Sequence, residues 1–231
     1  MARYTQSDRG EQRERNEDHA FSFKLGDVFG VGVADGLGGH AAGQVASELA
    51  SATFAESFQE LYDGGVARDV VRLCFEDAEG AVQRRMDDDE AYRGMGTTLV
   101  AAVVADGRAL VGNVGDSRAY LVTDGGIRQV TDDHAERIPY GSPGRRRSLT
   151  RLTQAVGTES EGVAPDVFEL ELSEGDALLL CSDGLTDELD DDRIRRVVAG
   201  ADALDEAGRR LVRYANRSGG RDNVSVALYA P

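Results

Sequence analysis

Residues 28–40 read VFGVGVADGLGGH, and this stretch decides the architecture. The run 28–34 is apolar or glycine throughout, as a strand covered on both faces must be. It stops at Asp35-Gly36, and the glycine-rich step through Gly38 and Gly39 opens a segment with helical spacing. Glycine after the aspartate lets the backbone come close to an ion, so that a main-chain carbonyl can act as a ligand. The same device recurs at 177–184, ALLLCSDG, where an apolar run ends in Ser182-Asp183-Gly184.

Working outward, short apolar or alternating runs bounded by turn signals predict further strands. They fall at 20–23, 97–104, 109–114, 118–122, 128–131, 167–172 and 224–229. Asp106-Gly107 and Asp124-Gly125-Gly126 separate neighbouring runs, and Asp-Gly supplies the positive φ of tight hairpins. Residues 41–62 carry Val45, Leu49, Ala52, Phe54 and Phe58 at three- and four-residue steps; residues 66–86 repeat this with Val70, Leu73, Cys74, Ala78 and Val82. Two more helices are expected at 191–198 and 203–216. Strands in hairpins with helices in pairs give an α+β fold, a central antiparallel β-sandwich flanked by helix pairs. With no linker and no repeat, residues 1–231 read as one domain. The segment 134–152 is the least regular. Pro139, Gly141, Pro143 and Gly144 break it, and Arg145, Arg146 and Arg147 are adjacent. It reads as a solvated surface loop or as a basic flap aimed at a phosphorylated partner.

The 231 residues include 26 basic and 42 acidic side chains, a net charge of −16. That balance argues against nucleic acid as a partner. No run approaches the ~20 apolar residues of a membrane span, and the polar N-terminus has no signal core, so a cytoplasmic location is expected. Lys24 is the sole lysine. Adaptation to a salt-rich cytoplasm and an arginine bias of the genome both account for this charge pattern. Cys74 and Cys181 lie in apolar surroundings, which argues against a disulfide scaffold and against a thiolate metal site.

Five aspartates share one property. Asp18, Asp35, Asp116, Asp183 and Asp222 each stand at the end or start of an expected strand. In antiparallel pairs such positions converge on one rim, where the carboxylates repel each other unless cations neutralise them. Oxygen donors without Cys or His select Mg²⁺ or Mn²⁺. Two such ions suit phosphate-ester hydrolysis, because they acidify a bridging water and offset the phosphate charge. Arg13 and Arg15 are candidates for the phosphate oxygens. Ser117 and Ser182 lack a His/Asp partner set, so a serine or cysteine nucleophile is not expected.

The same segments resemble the metal-dependent protein phosphatases of the protein phosphatase 2C (PPM) type. They include SDRGEQRERNEDH (7–19), GVADGLGGHAAGQVAS (32–47), GMGTTLVAAVV (94–104), VGNVGDSRAYLV (111–122), LTQAVGT (152–158), LLLCSDGLTDEL (178–189) and GGRDNVSVALY (219–229). The resemblance implies a phosphoserine/phosphothreonine phosphatase with two Mn²⁺ or Mg²⁺ ions at one end of the sandwich. Asp35 would bridge them, and Asp183 and Asp222 would complete the first site. The Gly36 carbonyl, with Glu17 and Asp18 directly or through water, would hold the second. Asp116 and Asp183 would take a third, weaker ion, and Arg13 would bind phosphate. Implied partners are phosphorylated proteins and a cognate Ser/Thr kinase, with the enzyme a monomer. Animal members place a histidine directly after the Asp-Gly. Here that residue is Leu37, and His40 follows three later. The general acid is therefore open between His40, a bound water and no protein group, and His134 at the start of the flap is a further catalytic candidate. The rival reading is a cation-binding signalling module that recognises phosphoproteins without turnover.

Overall fold

The structure is a computed structural model that describes residues 1–38, 41–140, 147–158 and 162–231. In chain order the elements begin with β1 (Ala2–Asp8), β2 (Asp18–Leu25), β3 (Val28–Leu37), α1 (Ala41–Leu61) and α2 (Arg68–Asp88). Then come β4 (Gly96–Thr97), β5 (Leu99–Ala105), β6 (Arg108–Val114), β7 (Arg118–Thr123), β8 (Gly126–Gln129), β9 (Ala135–Tyr140) and β10 (Arg147–Leu152). The chain closes with β11 (Asp166–Glu171), β12 (Ala177–Cys181), α3 (Asp183–Thr186), α4 (Asp191–Ala199), α5 (Leu204–Ser218) and β13 (Val224–Ala230).

Two antiparallel sheets face each other. One runs β1-β13-β12-β7-β8; the other runs β11-β6-β5-β3-β2, with β4 added beside β3. Three apolar layers result, and strand alternation assigns residues to them. Along β5, Leu99, Ala101 and Val103 pack with Phe54, Phe58 and Phe75 of α1 and α2. The intervening Val100, Ala102 and Val104 meet Leu178, Leu180 and Ala227 of the opposite sheet. On the far side, Leu179 and Cys181 of β12 pack with Ile194 of α4 and Leu211 of α5. β5, β6 and β12 are covered on both faces, which is why they read as continuous apolar runs. Each fully buried Leu, Val or Phe in these layers contributes about 1.5–3 kcal/mol. The four-layer α-β-β-α arrangement expected from the sequence is present.

Of the two Asp-Gly turns, the first has the expected positive φ; in the second, Thr123 pairs with Gly126 and neither Asp124 nor Gly125 has positive φ. Ala105 pairs with Arg108 across Asp106 (φ 50°) and Gly107 (φ 74°), a two-residue turn with both central residues left-handed. Three elements depart from the expectation. β1, ARYTQSD, is an edge strand paired with β13 from Ala2↔Ala230 to Asp8↔Val224, and its polar composition carries no core signal. A single turn, α3, follows Ser182 where only a turn was read. The stretch expected to be irregular, 134–152, contains a hairpin in which β9 and β10 pair from Ala135↔Leu152 to Tyr140↔Arg147. The arms hold Ile138, Leu149, Thr150 and Leu152, which suit an extended chain. Pro139 is tolerated because a two-stranded ribbon has open edges. The expected His40, Arg145 and Arg146 lie outside the described residues. Among the described residues, no helix is long and apolar enough to cross a membrane.

Candidate active site

One end of the sandwich forms a cup of about 350 Å³ lined by acidic residues. Asp18 and Asp35 are direct partners in the β2–β3 register, so the two acidic ends meet as the sequence pattern required. The Asp35 backbone is fixed on both sides. Its N–H donates to Thr98 Oγ1 (3.0 Å), and its carbonyl accepts from Thr98 N–H and Thr97 Oγ1 (each 2.9 Å). Gly36 is held between two passing chains. A Cβ there would sit 2.2 Å from the Gly43 carbonyl oxygen and 2.6 Å from that of Glu17, so only glycine fits. Glu17, Asp35, Gly36, Asp116, Asp183 and Asp222 all line the cup, together with Arg13.

The electrostatics are those of crowded acids removed from water. Asp35 is pushed well above the usual carboxylate range by burial, then by repulsion from Asp18 and Asp183. Burial raises Asp183 to about 7, reinforced by Asp116 and Asp222. Burial likewise raises Asp18 to about 6 and moves Asp116 in the same direction. Oδ1 of Asp18 and Oδ1 of Asp183 are buried without a hydrogen-bond donor. Such orphaned acceptors are costly unless a cation or a proton reaches them. Among the described residues, no group of three or more His, Cys, Asp or Glu side chains is placed closely enough to hold a metal ion. An open cup of carboxylates and a carbonyl instead fits ions that keep part of their water, as Mg²⁺ does. The donor set therefore fits a hard divalent cation, with water completing the shell.

Arg13 provides the positive charge at the rim. Its Nη2 lies 2.5 Å from Asp222 Oδ2, and half of its side-chain surface stays exposed. The loop that carries it is anchored by Asn223. Asn223 Oδ1 accepts from Glu17 N–H, and Nδ2 donates to the carbonyls of Arg9 and Arg15, all at 2.8 Å. Beneath Asp116, Arg118 grips Asp133 with a fork of 2.8 and 2.6 Å. The hairpin reaches the cup through Thr150 and Leu152.

A sequence profile of the protein phosphatase 2C family matches residues 7–227. The chain belongs to the protein phosphatase 2C family. It is 33% identical to the serine/threonine phosphatase Stp of Listeria monocytogenes over 96% of this chain and 92% of that protein. Two crystal structures share the fold. The Mycobacterium tuberculosis serine/threonine phosphatase PstP matches at 33% identity with a TM-score of 0.82, covering 98% of this chain and 97% of that one. The Streptococcus agalactiae serine/threonine phosphatase matches at 28% identity with a TM-score of 0.88, covering 100% and 99%.

Within this protein phosphatase 2C fold, two expected site residues do not line the cup. Asp18 points inward, where its Oδ2 accepts from Ser182 Oγ at 2.7 Å. Strand alternation aims it between the sheets while its neighbour Glu17 faces the cavity. His134 sits at the base of the hairpin. Its Nδ1 accepts from Gly115 N–H (3.3 Å) and Gln154 Nε2 (3.0 Å), which leaves Nε2–H to donate to Asp166 (3.1 Å). It ties the hairpin to β6 and β11 and does not reach the reacting end. Asn223, Thr150 and Leu152 line the cup but were not singled out in the sequence. For Asn223 the available signal was its place directly after Asp222.

Proposed function

We propose that this protein is a Mn²⁺- or Mg²⁺-dependent phosphatase of phosphoserine and phosphothreonine in proteins, using two ions and a third, weaker one. The observation that carries the proposal is the cup itself: raised, donor-starved carboxylates facing one arginine. Asp35, Asp183 and Asp222 hold the first ion; Asp35, the Gly36 carbonyl and Glu17 hold the second; Asp116 and Asp183 hold the third. Asp18 acts from below, through Ser182 or water. Bound divalent ions supply Lewis acidity, which makes water nucleophilic at neutral pH and offsets phosphate charge.

The protein's own groups do the rest. Arg13 presents its guanidinium to the non-bridging phosphoryl oxygens, and its contact with Asp222 orients it toward the cup. Thr150 and Leu152 meet the peptide beside the phosphate. Among the described residues, the serines beside the cup aspartates and both cysteines are engaged or buried. Ser182 Oγ is engaged by Asp18 and Ser225 N–H, and Ser117 Oγ by Thr98. Both cysteines are buried, with their thiols pushed up to about 11 and about 12 by desolvation. Direct attack by water on phosphorus fits this inventory. We place the enzyme in the cytoplasm as a monomer that opposes a Ser/Thr kinase.

Hydrolysis of p-nitrophenyl phosphate and a phosphothreonine peptide is expected to vanish in EDTA and return with Mn²⁺ or Mg²⁺. Metal binding by calorimetry without turnover would instead favour the non-catalytic cation-binding module. Arg13→Ala is expected to raise KM for the peptide about tenfold with a smaller change in kcat, the pattern of a contact made in ground and transition state alike. An unchanged KM would remove Arg13 from phosphate binding.

A further inference from the structure

The chain carries a large acidic excess, yet one groove presents three guanidinium groups and no carboxylate. It lies between α4 and α5, encloses about 420 Å³, and is lined by Arg193, Arg196, Val197, Arg210 and Tyr214. It shares no residue with the catalytic cup.

The helix geometry builds it. Arg193 and Arg196 are three apart on α4, and Arg210 and Tyr214 four apart on α5, so each pair shares a face. Buried Val197 forms the floor. The Arg193 guanidinium lies 5.1 Å from the Tyr214 ring centre and that of Arg213 lies 5.7 Å away, both within cation–π range. Arg210 is committed to Glu206 at 2.6 Å. Arg196 uses only Nε, on the Asp192 carbonyl at 3.1 Å. Among the described residues, neither the Arg193 nor the Arg196 guanidinium forms an ion pair with a carboxylate, although the protein surface is rich in them. Two neighbouring guanidinium groups without counter-charge, steadied by an aromatic ring, match a phosphate dianion, which accepts paired N–H donors from arginine.

We propose that this groove binds a second phosphorylated segment of the protein substrate, away from the phosphate being hydrolysed; this rests on the phosphoprotein phosphatase reading above. Its binding energy is then independent of the ions in the cup. A substrate carrying two phosphates is held at two points and gains effective concentration at the cup.

The test uses the full chain and a labelled phosphothreonine peptide. In EDTA the cup is anionic and repels the peptide, so fluorescence anisotropy reads the groove. Binding is expected to be salt-sensitive and to weaken at least tenfold in Arg193→Ala/Arg196→Ala; both residues are exposed, so an unchanged melting temperature certifies the fold. With Mn²⁺, a doubly phosphorylated peptide is expected to show at least a fivefold lower KM than a singly phosphorylated one. That advantage should disappear in the double variant, with p-nitrophenyl phosphate turnover unchanged. Equal phosphopeptide binding by wild type and variant overturns the proposal. So does equal binding of a peptide with glutamate at the phosphothreonine position. If p-nitrophenyl phosphate is not hydrolysed with Mn²⁺ while peptide binding still depends on the two arginines, the phosphatase reading fails and the groove stands.

Discussion

Asp183→Asn is expected to lower Mn²⁺-dependent turnover by at least about 100-fold and, in EDTA at pH 8, to make the protein more stable than wild type. The loss follows from removing one anionic oxygen from a cup whose purpose is electrostatic. The gain follows from linkage. In the metal-free protein the Asp183 carboxyl is raised by burial to about 7, from an ordinary 3.8. Between those values the folded state binds the proton that the unfolded chain has released, so stability falls as pH rises through the window. Above pH 7 the penalty is complete. At ~1.4 kcal/mol per unit it is on the order of 4 kcal/mol, shared with Asp116 and Asp222. A neutral amide abolishes the part that belongs to position 183. For a chain of this size about 2–4 °C accompanies each kcal/mol, so a rise of about 5 °C in Tm is expected. The wild type in EDTA should lose Tm from pH 5 to pH 8, and the variant should lose less. Mn²⁺ should raise the wild-type Tm at pH 8 and raise that of the variant, which keeps the second ion's ligands, by less. Retained turnover, or a variant less stable than wild type in EDTA at pH 8, would contradict the assignment of Asp183.

This opposition between function and stability also explains what could be read from the sequence. A single Asp-Gly at a strand end reads as an ordinary turn, as Asp106-Gly107 is, but five acidic positions at strand ends are more than turns require. That excess is visible without coordinates, and it located Asp35, Asp116, Asp183 and Asp222. Which way a side chain points within a strand pair is a matter of register, and a one-residue difference reverses it. Glu17 and Asp18 are adjacent, and only the β2–β3 pairing, Asp18 opposite Asp35, sends one to the cup and the other to the interior. Edge elements were the other blind spot. β1 and the hairpin of β9 and β10 are held in antiparallel backbone pairing, and their sequences mix polar, charged and proline residues, so neither leaves the hydrophobic pattern that reveals β5 or β12. The groove between α4 and α5 was out of reach for a different reason. Arg193 and Tyr214 are far apart in sequence, and their meeting depends on how the two helices pack.

Asn223 shows how a residue without charge or chemistry can govern the site, and Asn223→Ala is expected to damage both stability and binding. The side chain is 4% exposed and makes three hydrogen bonds of 2.8 Å to the loop that carries Arg13 and Glu17. Alanine leaves one N–H and two carbonyls to find water in a tight space. A buried unsatisfied group costs about 1–3 kcal/mol, and partial hydration brings the total to about 3 kcal/mol, a fall in Tm of about 6 °C or more. Because the loop spans residues 9–17, its loosening frees Arg13 and Glu17 together. KM for a phosphothreonine peptide should rise more than in Arg13→Ala, and the apparent Mn²⁺ requirement should rise with it. Asn223→Asp separates geometry from donor chemistry. It preserves shape and the acceptor for Glu17 N–H, but loses both donated bonds and sets a new carboxylate beside Asp222. Its deficit should therefore grow from pH 5 to pH 8 in EDTA and shrink when Mn²⁺ is added, whereas that of the alanine variant should depend little on pH. Equal pH profiles for the two variants would mean that Asn223 acts through space-filling, and that Arg13 is placed by its contact with Asp222 alone.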